Sequence, residues 1–252
     1  MIDLNTRRAR IALLVPSSNT VMENDFHKGL PADKYTVHTD RMYLVETTKE
    51  AEIRMIEEFS KPAAKDLGTL NPDLFVFGCT SAGSLFGLEY DAKVCSELGA
   101  LAGSPAMGVI NAVSDALDAV GSKRLAVITP YNKELTKSVA DALAAEGREI
   151  VAAHGMGITD NVELATPTPA KIVAFAMAHL GGKTFDTLFV SCTNFRALEA
   201  KPLLDEAFGV RVITSNSAVI GAIRQRFEGV VPEWSNANAG ETPRPERIAQ
   251  PA

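Results

Sequence analysis

The chain has 252 residues, of which 46% are hydrophobic and 22% charged, so it can bury a substantial core and lies far from the composition of a disordered polymer. A formal net charge of −6 speaks against a nucleic-acid surface, and no stretch reaches the roughly 18 uninterrupted apolar residues of a membrane helix. Three cysteines cannot all pair with one another and MIDLNTRRAR lacks the apolar run of a secretory signal, so a cytoplasmic protein with reduced thiols and a small-molecule partner is expected.

The first predicted strand, Arg10 to Pro16, is a continuous apolar run that delivers Ser17, Ser18, Asn19 and Thr20 to a turn. A strand over Thr36 to Met42 follows, then a helix from Lys49 to Leu67 that Pro62 should interrupt. Asp73 to Gly78 reads as a buried strand ending in Cys79-Thr80-Ser81. Cys95 sits in the helical pattern AKVCSELGAL with no polar motif around it and reads as core. A short strand over Met107 to Ile110 and a helix over Val113 to Val120 come next. Arg124 to Pro130 forms another apolar strand, opening onto Tyr131, and is followed by a helix from Lys133 to Glu146 and a strand over Ile150 to Ala153. Asn161 lies in GITDNVELATPTP, where an Asx turn or a helix cap is the plainer use of that residue type. A helix from Pro169 to Leu180, a strand from Asp186 to Cys192-Thr193-Asn194, a helix from Leu198 to Phe208 and a strand over Val210 to Ile213 complete the alternation. Beyond Phe227 the chain is rich in proline and polar residues; a flexible tail is expected from Asn236, with Trp234 either packing on the body or a partner subunit or standing as a lone exposed aromatic.

An internal echo organises these elements. Arg10 to Pro16 recurs as Arg124 to Pro130 at an offset of 114 positions, and Asp73 to Ser81 recurs as Asp186 to Asn194 at an offset of 113. Such a period is too long for a solenoid and suits a duplicated α/β half. The expected fold is therefore α/β, with two pseudo-duplicated, doubly wound parallel-sheet units: residues 1–112 carrying Cys79, residues 113–228 carrying Cys192, and a tail over 229–252. In open parallel sheets the ligand sits beyond the carboxyl ends of the strands, where Asn19, Cys79, Tyr131 and Cys192 all fall, which places the active site between the units.

The residue types at those ends suit thiol chemistry. A cysteine followed by Thr and Ser or Asn at a strand-to-helix turn has amides and hydroxyls nearby that stabilise a thiolate or a bound carboxylate. Two such thiols facing one cleft offer a nucleophile or base on one side and an acid on the other; two structural cysteines left by duplication are the plainer alternative. No histidine occupies a comparable loop, although a Cys–His pairing in space stays open. The cysteines show no CxxC spacing and His27, His38, His154 and His179 no paired pattern, so no metal is expected; no GxGxxG or GxxxxGK[ST] occurs, so no nucleotide cofactor is expected either.

From about residue 8 to 227 the chain resembles the maleate cis-trans isomerase branch of the aspartate/glutamate racemase superfamily, which also includes arylmalonate decarboxylases and hydantoin racemases. The resemblance rests on VPSSNTVME at Val15 to Glu23, GCTSAG at Gly78 to Gly83, TPY at Thr129 to Tyr131 and SCTNFR at Ser191 to Arg196. It implies cofactor-independent isomerisation of maleate or a substituted maleate, with Cys79 as nucleophile and Cys192 as acid/base. It further implies that Asn19, Tyr131 and Asn161 hold the substrate carboxylates, with Thr80, Ser81, Thr193 and Asn194 as local donors. A two-cysteine racemase, an arylmalonate-type decarboxylase and a non-catalytic carboxylate-binding protein remain as alternatives, in that order; the decarboxylases of the superfamily keep a single catalytic cysteine. A homodimer is the expected assembly, since symmetric dimers are the commonest soluble oligomers.

Overall fold

The computed structural model describes residues 3–232; Trp234 and the tail expected from Asn236 lie outside the described residues. The first four strands, β1 (Ala9–Pro16), β2 (Tyr35–Met42), β3 (Leu74–Phe77) and β4 (Ala106–Gly108), form an all-parallel sheet in the order β2-β1-β3-β4. The next four, β5 (Arg124–Thr129), β6 (Glu149–Gly155), β7 (Thr187–Val190) and β8 (Arg211–Thr214), repeat that order as β6-β5-β7-β8, again all parallel. In each sheet the chain runs from the first strand to one side and then returns to its other side, so the strand order reverses beside β1 and beside β5. Ligand sites form at such reversals.

The central strands β1, β3, β5 and β7 are buried nearly throughout, which is why they read as unbroken apolar runs rather than alternating ones. Among the described residues ten α-helices cover them: α1 (Met22–Gly29), α2 (Lys49–Arg54), α3 (Ser60–Gly68), α4 (Thr80–Ser84), α5 (Leu88–Ala102), α6 (Val109–Ala119), α7 (Lys133–Ala144), α8 (Pro169–Leu180), α9 (Ala197–Phe208) and α10 (Ser215–Glu228). One hydrophobic cluster runs from Leu13 and Val76 of the first sheet through Val113 and Leu117 of α6 to Val127 and Phe189 of the second. A second cluster, with Leu14, Phe77, Met55 and Leu98, holds Cys79 and Cys95 on the other face of the first sheet. α10 packs mainly on α6 and also touches α1, so the last helix of the second half ties the two sheets together. The division expected between residues 112 and 113 falls inside α6.

Three expectations change. Pro62 does not interrupt its helix: α2, a π-helical turn over Met55–Phe59 and α3 run on without a break, and the irregularity is that wider turn just before Pro62. The strand expected to reach Ile110 ends at Gly108, and α6 begins at Val109, earlier than the apolar period suggested. Gly108 is required there, because a Cβ would lie 1.9 Å from Oδ2 of the buried Asp91, whose carboxylate accepts from Asn111 in the first turn of α6. α1 and α10 were not anticipated; each starts in the polar loop after a strand, where hydrogen bonds to the side chains of Asn19 and Thr214 override weak periodicity. Among the described residues no helix is long and apolar enough to cross a membrane.

Candidate active site

Cys79 leaves β3 and caps α4 in extended conformation, φ −138° and ψ 113°. Its thiol is 4% exposed and lies 3.8 Å from the Ser81 hydroxyl, and the Ala82 N–H also points to the sulfur. Cys192, 3% exposed, occupies the equivalent place after β7. The sulfur of Cys192 accepts from Asn194 N–H at 3.3 Å and from the hydroxyl of Tyr131, which follows β5. The two thiols are near enough that charge on Cys192 raises Cys79. They converge on one buried site.

Burial dominates the electrostatics. It pushes the Cys79 thiol well above its ordinary value and Cys192 up to about 12, against the opposing pull of the Tyr131 hydroxyl and Asn194 N–H. Burial also raises Tyr131 well above the phenol range. Each thiol is therefore neutral at rest, and ionisation requires help from a partner.

The backbone at Cys192 is strained. Its φ of 102° lies in the left-handed region, where a Cβ is penalised by about 1–3 kcal/mol. Replacement by glycine removes that penalty and replacement by alanine keeps it, while both lose the sulfur. Cys192→Gly is accordingly expected to be more stable than Cys192→Ala by about 1 kcal/mol in urea denaturation, the reverse of the usual glycine cost. Equal stabilities would show that the turn relaxes without strain.

The surrounding polar residues form a network that crosses between the halves. Ser215, the first residue of α10, accepts from Thr80 Oγ1 at 2.9 Å and from Cys192 N–H at 3.0 Å. Thr193 Oγ1 donates to Gly78 O and accepts from Asn19 Nδ2, both at 3.0 Å. Asn19 Oδ1 accepts from the N–H groups of Val21 and Met22 and thereby starts α1. Asn194 Oδ1 accepts from Thr20 N–H at 2.8 Å, and its amide donates to Asn161 O at 2.6 Å. Asn161 is buried, accepting from Thr47 Oγ1 at 3.0 Å and donating to Ser18 Oγ at 2.7 Å. The Asx turn in that loop belongs to Asp160, whose Oδ1 accepts from Val162 N–H at 3.0 Å.

The structure therefore brings together Asn19, Cys79, Thr80, Ser81, Tyr131, Asn161, Cys192, Thr193 and Asn194. Each hydroxyl has a single hydrogen, and those of Thr80, Ser81 and Thr193 are given to Ser215, Glu52 and Gly78 respectively. Their side chains frame the site, leaving amide hydrogens as its free donors.

Glu52 was not anticipated. It lies on α2, is fully buried, and accepts from the Ser81 hydroxyl through Oε1, while Oε2 has no partner among the described residues. Burial raises its carboxyl to about 8, and its charge, where present, pushes Cys79, Cys192 and Tyr131 further up. His154 and His179, by contrast, stack on each other at 4.7 Å between ring centroids on β6 and α8. Cys95 is buried in the core against α5's own neighbours. A groove of about 300 Å³, lined by Tyr43, Glu46, Ala51, Arg54 and Phe59 among others, opens on the outer side of α2 and does not include the thiols. Among the described residues no group of three His, Cys, Asp or Glu is placed to hold a metal ion.

Comparison with known proteins agrees with this architecture. The family model for arylmalonate decarboxylase matches residues 12–229. A maleate isomerase from Geobacillus stearothermophilus is 27% identical over 224 residues, covering 84% of this chain and 88% of that protein. One from Pseudomonas putida is 28% identical over 243 residues, covering 90% and 96%. The crystal structure of a maleate isomerase from Pseudomonas putida S16 with maleate superposes with a TM-score of 0.83 at 25% identity, covering 91% of this chain and 97% of that one. The chain belongs to the arylmalonate decarboxylase family, and within it to the maleate isomerase-like enzymes.

Proposed function

We propose that the protein catalyses the cofactor-independent cis-trans isomerisation of maleate, or of a substituted maleate, to the fumarate form. The observation that carries this reading is the pair of buried thiols at equivalent strand ends, near enough to sense each other's charge yet held by different partners. The relatives named maleate isomerases supply the substrate class.

The thiolate of Cys79 adds to one alkene carbon, forming a C–S bond and moving the π pair onto the neighbouring carbon, where the attached carboxylate delocalises it. Cys192 transfers its proton to that carbon and becomes the thiolate. The central bond of the succinyl adduct is now single, so it rotates. Cys192 then takes the proton back, the electrons re-form the alkene, and the C–S bond breaks to regenerate the Cys79 thiolate. Asn19 and Asn161 each commit one amide hydrogen to the protein and retain the second for a substrate carboxylate. Tyr131, with its hydroxyl on Cys192, keeps the acid/base oriented. Donors fixed in place by their own network stabilise the transient charge without reorganising.

The test is an assay without added cofactor that offers maleate, substituted maleates, aspartate, glutamate, hydantoins and arylmalonates. Fumarate from maleate, together with a covalent adduct on the peptide containing Cys79, is the expected result. Racemised or decarboxylated products in place of fumarate would reject the isomerase reading.

A further inference from the structure

We propose that Glu52 is the proton acceptor that makes Cys79 a nucleophile, acting through the hydroxyl of Ser81. The inference rests on the assignment of Cys79 as nucleophile and adds the group that ionises it. Three groups lie in a line with hydrogen bonds oriented in one direction: the Ser81 hydroxyl donates to Glu52 Oε1, which leaves its oxygen lone pairs to accept the Cys79 thiol hydrogen 3.8 Å away between heavy atoms. Every member is buried, with Glu52 and Ser81 at 0% and 2% exposure, so no bulk water takes the proton instead.

A carboxyl group is costly to bury without a full set of partners, and among the described residues Glu52 Oε2 has none. Among the described residues no cation neutralises it: Lys49 on the same helix lies over the Phe86 ring and Arg54 pairs with Glu58, while the neighbouring acid Glu50 is exposed. The ionisable groups that face it from other elements are Cys79 from the turn after β3, Tyr131 after β5 and Cys192 after β7. A structural role would be served by glutamine, which makes the same bond to Ser81 without a titrating group. The carboxyl is what the site uses.

The transfer is balanced. The S–H bond of Cys79 breaks as its proton passes to Ser81 Oγ, and the former Ser81 proton passes to Glu52 Oε1. The products are a thiolate, an intact hydroxyl and a neutral carboxylic acid. The site's net charge is unchanged, the negative charge having moved from the carboxyl group to the sulfur that attacks. Below a pH of about 8 Glu52 already holds a proton and cannot accept one, so the relay opens as pH rises through that value. Cys192 stands outside this line and keeps its own proton for the substrate carbon. Glu52 is thus a positioning residue for the proton, touching the nucleophile only through Ser81.

The experiment measures alkylation of Cys79 by iodoacetamide, which is uncharged and needs no substrate, as a function of pH, with the modified cysteine located by peptide mass spectrometry. In the wild type the rate should climb through pH of about 8. In Glu52→Gln and in Ser81→Ala the rate above that pH should fall by about tenfold or more and the inflection should move upward, with Glu52→Asp recovering part of the loss. Opposite behaviour overturns the proposal: if Glu52 is only a repelling neighbour, Glu52→Gln lowers the thiol's pKa and alkylates faster than wild type. Unchanged rates in both variants overturn it too. Because the readout is independent of turnover, a wild type that isomerises no maleate yet shows Glu52-dependent alkylation would reject the substrate assignment and leave the relay standing.

Discussion

Cys79→Ser is expected to lower turnover by at least about 10³-fold while ligand binding, followed by protection against thermal unfolding, stays close to wild type. The hydroxyl that replaces the thiol ionises several units higher in water, and the burial that already raises Cys79 acts on an alkoxide even more strongly. The Ala82 N–H and the Ser81–Glu52 pair remain in place, but a hydroxyl at position 79 is too weak an acid for that pair to deprotonate. Binding survives because the proposed carboxylate contacts come from Asn19 and Asn161, whose own partners are unaffected. Cys95→Ser is the control: Cys95 is equally buried but lies in the core of α5, so it should leave turnover unchanged in the folded fraction. Turnover of Cys79→Ser within tenfold of wild type would remove Cys79 as the nucleophile.

The positions of both thiols were legible because duplication writes the same strand-then-Cys-Thr pattern twice, and a strand buried on both faces is an unbroken apolar run. The parallel order of the two sheets follows from the same alternation, and the structure repeats it as β2-β1-β3-β4 and β6-β5-β7-β8. Glu52 was hidden by its surroundings. KEAEIRMIEEF carries four glutamates and reads as solvated, but Glu52 shares the helix face of Met55 and Ile56, and the packing of α2 on α4 buries it while Glu57 and Glu58 stay exposed. Asn161 shows a related ambiguity. Its neighbour Asp160 makes the turn that local sequence suggests, which frees Asn161 to turn inward and join Ser18, Thr47 and Asn194. Ser215 was missed because a serine after a strand reads as a cap, and its second use, bridging Thr80 to the Cys192 backbone, depends on a contact between halves.

The network explains why the site can hold uncharged thiols and a carboxyl together without an internal cation. Asn19 bonds Thr193, Asn161 bonds Ser18, Asn194 bonds Thr20 and Ser215 bonds Thr80 across the two halves, so the cleft is shaped by neutral hydrogen bonds whose geometry is fixed before substrate arrives. Against that background a single titrating group has a large effect on both reactivity and stability.

That effect on stability is the second large expectation. The Glu52 carboxyl titrates near 4.5 in the unfolded chain and is raised to about 8 by burial in the folded one. Between these values the unfolded chain has released the proton while the folded protein retains it, so stability falls as pH rises from about 4.5 to about 8 and is flat on either side of the window. A shift of this size corresponds to a loss on the order of 4 kcal/mol, present in full above the upper limit and absent below the lower one. Glu52→Gln removes the titration. Its Oε1 still accepts from Ser81, while its amide nitrogen inherits the unpartnered place of Oε2 at a cost of about 1–3 kcal/mol that does not vary with pH. Relative to wild type, the variant should therefore gain about 3–5 kcal/mol of stability as pH rises across the window, read from urea midpoints at constant slope. A difference that stays constant with pH would mean that Glu52 ionises normally in the folded protein, in which case the carboxyl is hydrated and not enclosed. A buried acid that destabilises the fold where it is ionised, yet stands in line with the reactive thiol, is the stability cost expected of a group retained for chemistry.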